Sequence, residues 1–457
     1  MSGLRASPDA FSMKHFFQRL IGSTIFIAGV AFVLRMVAMW MIWHQTPIPI
    51  KANLPYGYEL GRVARAIASG EGFSSPLRNM DTGPTAWFTP IYPYFVAGIF
   101  KVWGIYTNTS RFIIAAMNCL FAALTIIPIY NIAKRAFGEG VAIGASWVWV
   151  FLPTAIHFPI IWIWDTTLTA LFFSLIFWAT LSLRGIRKML PWAGYGALWV
   201  VGGLINPSIL SLFPFFLGWL LWSERKESSL WLKHAAAVLL LFTIGLVPWT
   251  VRNYRVFGKI IVLRSNFGLE LWLGNNPNVI DMLSQMSHPN DNPEESAKYR
   301  RMGEIAYMVE KEHEAFAFMR AHPVETINNT FHRFVDIWLS QTDSLVDLWS
   351  TASLYGKTLL TFNCMLSLMS LLGVLYAHRS HNPDAAPFGM VLLIFPMVFY
   401  LTHSSPRYRF PMDPIIVVLA ASSAAHLLSA RFELHKAKTV EPLPLIQRAD
   451  PESAKFN

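Results

Sequence analysis

Charge is what this 457-residue chain has least of: Asp, Glu, Lys and Arg make up 14% of it, against about 25% in a soluble domain. That scarcity excludes an ordinary water-soluble enzyme. The 54% hydrophobic content excludes a disordered chain, because so apolar a sequence must bury itself. Cysteine is nearly absent. Cys119 and Cys364 both lie in apolar runs, which leaves no disulfide framework and no cysteine-based zinc site. There is no Walker loop, no dinucleotide fingerprint after a strand and no HExxH, so no nucleotide site is readable. No internal repeat or low-complexity tract occurs. The formal charge of +10 follows from topology and does not imply nucleic-acid binding. What the chain has in quantity is aromatic: 18 Trp, 34 Phe and 14 Tyr, as in proteins with aromatic belts at both bilayer interfaces.

Apolar runs of about 17–25 residues can cross a bilayer as helices. They occur at 21–43, 111–133, 140–156, 166–183, 231–250, 357–377, 386–402 and 410–430. The stretch 192–222 is split by Asn206-Pro207 into two short halves. Arg184, Arg187 and Lys188 precede it, and Arg225 and Lys226 follow. Lys and Arg in short loops mark the cytoplasmic side, so two short spans meeting at Asn206-Pro207 are expected, with a re-entrant hairpin as the alternative. The expected fold class is an all-α polytopic membrane bundle of about ten transmembrane helices, with both termini in the cytoplasm. Residues 1–20 form a cytoplasmic tail, 21–250 an N-terminal transmembrane module with a first outer loop at 44–110, and 251–356 a small α+β outer domain. Helices of the C-terminal membrane part fill 357–430, and 431–457 is a second cytoplasmic tail. The first apolar run is too long for a cleavable signal peptide and reads as a signal anchor.

In the outer segments, 57–69 reads as a helix with Leu60, Val63, Ala64 and Ile67 on one face, and 91–103 as an interfacial helix. Lys259 to Asn266 reads as a strand and turn, and 294–321 as one helix. A helix over 324–339 places Ile327, Phe331, Phe334, Val335 and Trp338 on one side, the pattern of a helix on a membrane surface.

Acidic groups at the outer face stand out in a chain so short of charge. Glu59 and Asp165 each sit in apolar surroundings, where a carboxylate costs several kcal/mol unless paired or hydrated. One reading places both in a cavity, one as general base on an acceptor hydroxyl. The other pairs Glu59 with Arg62 and makes Asp165 the N-cap of the helix starting at Thr166. The basic groups at the same face are Arg62, Arg65, Arg78, Arg252, Arg264, Arg407 and Arg409. Arginine's planar fork suits phosphate oxygens, and Arg407-Tyr408-Arg409 runs against the positive-inside trend, which suggests an anionic headgroup. Snorkelling beside lipid phosphates is the alternative. Trp87, Tyr92 and Tyr408 join Arg65, Arg252 and Arg264 as candidates for the substrate pocket. Arg35, mid-span, is expected to pair within the bundle and is given no chemistry.

Tyr58-Glu59-Leu60-Gly61-Arg62 through Gly70-Glu71-Gly72-Phe73, followed by Thr89-Pro90-Ile91-Tyr92-Pro93, resembles the start of glycosyltransferase family 39 proteins of the GT-C fold. These include protein O-mannosyltransferase-like and aminoarabinose-transferase-like enzymes. Pro248-Trp249-Thr250-Val251-Arg252-Asn253, Asn266-Phe267-Gly268 through Gly274-Asn275, and Arg407-Tyr408-Arg409-Phe410-Pro411 are similar to later family segments. There are departures: family members usually begin the loop helix with Asp, about one turn further from the glycine, a job that falls here to Glu59, and Phe88-Thr89-Pro90 replaces a Lys-Pro-Pro. The resemblance implies a bacterial inner-membrane enzyme moving a sugar from a polyprenyl-phosphate donor to an acceptor hydroxyl on the outer face, with inversion. On that basis Glu59 is the expected base and Asp165 orients the acceptor, while Arg62, Arg407 and Arg409 hold the donor phosphate. No protein cofactor is implied; the two carboxylates could hold a divalent ion or work without one. A transporter or flippase of a lipid-linked sugar and a non-catalytic assembly partner are the competing readings. Neither the sugar nor the acceptor, whether glycan, lipid or protein, is readable.

Overall fold

The computed structural model describes residues 20–45, 56–78, 81–161, 163–225, 229–279, 287–339 and 354–439. Helices dominate. α1 (Thr24–Gln45) is followed by α2 (Tyr58–Ala68) and α3 (Ile91–Trp103), in the loop expected to face outward. Next come α4 (Asn108–Leu124), α5 (Ile126–Phe137), α6 (Glu139–Phe151), α7 (Pro153–Ile161) and α8 (Thr166–Leu183). α9 (Met189–Ile205) ends at Asn206, where a 3₁₀ turn, Pro207–Leu212, leads into α10 (Phe213–Glu224). The break therefore falls where Asn206-Pro207 predicted it. α11 (Trp231–Phe257) leads into the segment expected to be the outer domain, built from α12 (Phe267–Gly274), α13 (Pro293–Met302), α14 (Glu304–Ala321) and α15 (Pro323–Leu339). α16 (Leu354–Arg379), α17 (Ala385–Ile394), α18 (Met397–Leu401), α19 (Pro406–Arg409) and α20 (Asp413–Thr439) complete the chain.

Among the described residues six helices are long and apolar enough to cross a membrane, or seven when the bent pair α6–α7 counts as one span. α9 and the Ala385–Leu401 segment are shorter apolar helices. By length and composition alone, then, six or seven of the roughly ten expected crossings are present as full-length helices. α11 exposes Leu239, Leu240, Ile244 and Val247, whereas the side chains buried in the bundle include Trp149, Trp192 and Trp199. A helix that shows apolar residues outward is suited to lipid rather than water.

Two expectations in the outer segment are corrected. Residues 259–266 form no strand, so among the described residues the outer segment is helical with irregular connections, not α+β. Their irregular backbone is held by side chains instead of a neighbouring strand: Trp249 Nε1 donates to Leu263 O at 2.8 Å and Asn253 Nδ2 to Ile261 O at 2.9 Å. The expected helix 294–321 is two helices, because Gly303 adopts φ 76° between α13 and α14, a conformation that glycine takes without steric cost.

Buried polar groups tie these parts together. Glu304, at the start of α14, accepts from Ala86 N at 2.7 Å, Ser265 Oγ at 2.6 Å and Tyr299 OH at 2.9 Å. One carboxylate thus joins the first outer loop to the outer helices. Glu304→Ala orphans three donors, and removing a charged acceptor from buried partners costs more than about 3 kcal/mol in all. The expected result is an outer segment cleaved by protease far faster than in wild type; an unchanged cleavage rate would show that the latch is dispensable.

Candidate active site

The loop that carries Glu59 approaches the bundle through a glycine. Gly57 has φ 88° at the start of α2, and a Cβ there would overlap the carbonyl oxygen of Ile163. Its absence lets the first turn of α2, which carries Glu59, lie against the segment that carries Asp165. Both side chains line one cavity of about 1050 Å³. The cavity is bounded by the starts of α2 and α8, the Asn206-Pro207 break, residues 260–273 and residues 398–411.

Glu59 is held from the outer segment. Asn290 Nδ2 donates to its Oε1, and His288 Nε2 lies 3.9 Å away. The Asn290 carbonyl oxygen accepts from Arg62 NH1 at 3.1 Å and from Arg78 N at 2.9 Å. One amide therefore stands between Glu59 and Arg62, where direct pairing was the alternative expected from sequence. Asp165 occupies the N-cap position of α8, but its carboxylate makes no capping bond to that helix. It accepts instead from Asn206 Nδ2 at 3.1 Å. Burial raises its pKa from 3.8 to about 6, against the lowering pull of Arg264, Arg407 and the Asn206 hydrogen bond. The Asn206 oxygen caps Ser208, accepting from its N and Oγ, so the helix break also orients a cavity carboxylate.

Two arginines face these carboxylates. Arg264 Nε donates to Trp87 O at 2.6 Å, and its NH2 lies 3.7 Å from Glu270 Oε1. Arg407 stacks its guanidinium 4.1 Å over the Trp164 ring. Trp87 and Tyr408 complete the wall. Acids, arginines and aromatic faces in one pocket can hold an anion beside a polar, ring-shaped group.

Neither a family model nor a curated protein matches the chain. Solved structures do. The apo oligosaccharyltransferase of Archaeoglobus fulgidus superposes with a TM-score of 0.50 at 14% identity, covering 92% of this chain and 52% of that one. The archaeal oligosaccharyltransferase AglB from the same organism, in complex with an inhibitory peptide and a dolichol-phosphate, gives 0.51 at 14% identity over the same shares. The chain has a GT-C fold. It spans about half the length of those archaeal structures. ArnT from Cupriavidus metallidurans bound to undecaprenyl phosphate aligns over 90% of this chain and 81% of that one, at 12% identity and a TM-score of 0.36.

In this GT-C fold the cavity gathers Glu59, Asp165, Trp87, Arg264, Arg407 and Tyr408 from the candidate site residues, with Arg78 from the same basic face. The other five do not line it. Arg62 is buried and also donates to Pro76 O at 3.1 Å. Arg65 makes a bidentate ion pair with Glu71 at 2.8 and 2.9 Å. Arg252 donates to Thr85 O and Phe73 O, and the Tyr92 hydroxyl to Asn118 Oδ1. Arg409 pairs with Asp413 at 2.8 Å and donates to Trp338 O at 2.9 Å, at the C-terminal end of α15. An arginine beside the last carbonyls of a helix is stabilising by charge and by hydrogen bond. The cavity also brings in Glu270, His288, Asp291 and His403, which sequence reasoning did not single out. The one available signal was the polar, proline-bounded run His288-Pro289-Asn290-Asp291-Asn292-Pro293. Among the described residues no three His, Cys, Asp or Glu side chains converge as a metal site would require.

Proposed function

We propose that this protein is an integral membrane glycosyltransferase that moves a sugar from a polyprenyl-phosphate carrier to an acceptor hydroxyl on the outer face of a bacterial cytoplasmic membrane. The observation that carries this reading is the meeting of Glu59 and Asp165 with Arg264 and Arg407 in one cavity of a GT-C fold. The complex of AglB with dolichol-phosphate supports a polyprenyl-phosphate class of donor. In this scheme Glu59 takes the proton of the acceptor hydroxyl as its oxygen attacks the anomeric carbon. The bond from that carbon to the phosphate oxygen breaks on the opposite face, so configuration inverts. Polyprenyl phosphate leaves with the bonding electron pair. Arg407 and Arg264 stabilise the charge that develops on it, and Asp165 orients the acceptor. The topology that fits has about ten crossings, two of them the short halves around Asn206-Pro207, with both termini on the cytoplasmic side.

The test uses the purified full chain in nanodiscs with a panel of radiolabelled polyprenyl-phosphate sugars and mixed envelope acceptors. Release of free polyprenyl phosphate supports the transferase; tight binding of a donor that is never turned over transfers the weight to a transporter. The two arginines of the Arg-Tyr-Arg motif should separate in the same assay. Arg407→Ala is expected to raise the KM for donor about tenfold or more with folded yield intact. Arg409→Ala is expected to cut folded yield, because it strips an ion pair from buried Asp413. Equal effects of both variants on KM would show that the pair acts as one phosphate clamp.

A further inference from the structure

Three cavity residues form a hydrogen-bonded chain whose direction can be worked out. His403 is buried, and its Nδ1 faces acceptors of Glu270: the backbone oxygen at 3.3 Å and Oε2 at 3.4 Å. Its Nε2 lies 2.8 Å from the Tyr408 hydroxyl. Burial lowers the imidazole pKa below its ordinary value; Glu270 opposes this, while Arg407 and Arg333 add to it. A neutral imidazole has one N–H and one lone pair. With acceptors around Nδ1, the proton sits there, and Nε2 is left as an acceptor. The Tyr408 hydroxyl must then donate its only hydrogen to His403. Its oxygen is left able only to accept, a capacity that the Arg407 guanidinium shares by donating to it. The ring that carries this oxygen is fixed by stacking on Phe399, with centroids 4.6 Å apart at 18°.

We propose that the Glu270–His403–Tyr408 chain makes Tyr408 a specificity-determining residue that accepts a hydrogen bond from a sugar hydroxyl of the substrate, and that it is not a contact to the phosphate. The proposal rests on the transferase reading for the identity of the sugar's carrier, and it divides the cavity. A phosphate oxygen carries no hydrogen and belongs with Arg407 and Arg264, whereas an acceptor-only phenol oxygen selects a group that can donate. A site built to pair with a hydroxyl discriminates against the analogue that lacks it, because the accepting capacity of the Tyr408 oxygen that Arg407 does not fill is then left unused.

The experiment measures equilibrium binding to the full chain in nanodiscs, for wild type, Tyr408→Phe and His403→Gln. The probes are bare polyprenyl phosphate, polyprenyl-phosphate sugars with their monodeoxy counterparts, and methyl glycosides with theirs. Wild type is expected to prefer one hydroxylated sugar over its deoxy form by about tenfold or more. In Tyr408→Phe that ratio should fall to about one, with the affinity for bare polyprenyl phosphate unchanged. His403→Gln should reduce the same ratio, since the fixed acceptor of the Tyr408 hydrogen is gone. The proposal is overturned if Tyr408→Phe keeps the wild-type ratio, if wild type ignores every deoxy change, or if Tyr408→Phe weakens bare polyprenyl phosphate as much as the sugar lipids. Failure of the transferase reading looks different: wild type would bind none of the lipid-linked probes. The methyl glycosides then decide the role of Tyr408 alone, a lost ratio in Tyr408→Phe supporting it and a retained ratio overturning it.

Discussion

Replacing Arg35 by Leu is expected to cost about 2–6 kcal/mol and to leave little folded protein in detergent. Arg35 is fully buried within α1, and its partners are carbonyls, not acids. NH2 donates to Trp149 O at 3.0 Å and Nε to Ala155 O at 2.8 Å, while NH1 bonds Ala31 O in its own helix. The choice of carbonyls has a covalent cause. In an α-helix each carbonyl accepts from the N–H four residues on. For Trp149 that residue is Pro153, and for Ala155 it is Pro159; neither has an N–H. Pro153, at the 45° bend between α6 and α7, and Pro159, inside α7, strand two acceptors, and one guanidinium satisfies both. In an apolar interior the stranded carbonyls would each be left at a cost of about 1–3 kcal/mol. The diagnostic experiment is rescue. Thermal stability lost in Arg35→Leu should return in part when Pro153→Ala and Pro159→Ala restore the missing donors. If Arg35→Leu melts with wild type, the prolines' carbonyls have found other partners and this account is wrong.

Glu59→Gln and Asp165→Asn should each reduce turnover by about 10²–10⁴-fold, yet their effects on stability should differ. A carboxyl pKa raised on folding means that the folded chain holds the proton more tightly than the unfolded one, so ionising Asp165 costs stability. The cost is absent below pH 3.8, grows as pH rises and is complete above about 6. At neutral pH it is on the order of 3 kcal/mol. Asp165→Asn should therefore melt higher than wild type at neutral pH, with the gain vanishing near pH 4. Activity runs the other way with pH: where the ionised carboxylate is needed, wild-type kcat/KM should fall as pH drops through about 6. A variant that is both more stable and inactive is the mark of a strained functional group. An Asp165→Asn protein that is inactive and less stable would instead make Asp165 a structural partner of Asn206.

The course of the helices was legible because apolar runs and proline breaks are local properties. Asn206-Pro207 marked a real interruption, and the Tyr58–Ala68 and Ile91–Trp103 helices lie where periodicity put them. The 259–266 segment misled because a β-branched run looks the same whether its backbone bonds a strand or the side chains of Trp249 and Asn253. Arg409 misled for a related reason. Sequence shows that a guanidinium sits at an interface, but a helix C-terminus and a phosphate both offer it oxygens, and Arg409 took the helix. His403 and Glu270 were invisible, since their partnership crosses two connections that no periodicity links. Glu59 and Asp165 stood out only because charge is so scarce here.

The partners of the first outer loop have a consequence for the order in which the protein is made. Glu59 and Arg62 are held by Asn290, Ala86 by Glu304, and Thr85 and Phe73 by Arg252. Each of those anchors lies well over a hundred residues later in the chain. At about 5–20 residues per second, the ribosome delivers Asn290 tens of seconds or less after Glu59 has emerged. Throughout that interval the nascent loop carries its carboxylate without the cavity walls supplied by residues 260–273 and 398–411. The cavity therefore closes only when residues 398–411 have been made, just ahead of α20, and a chain cut short before them would carry Glu59 with its cavity unbuilt.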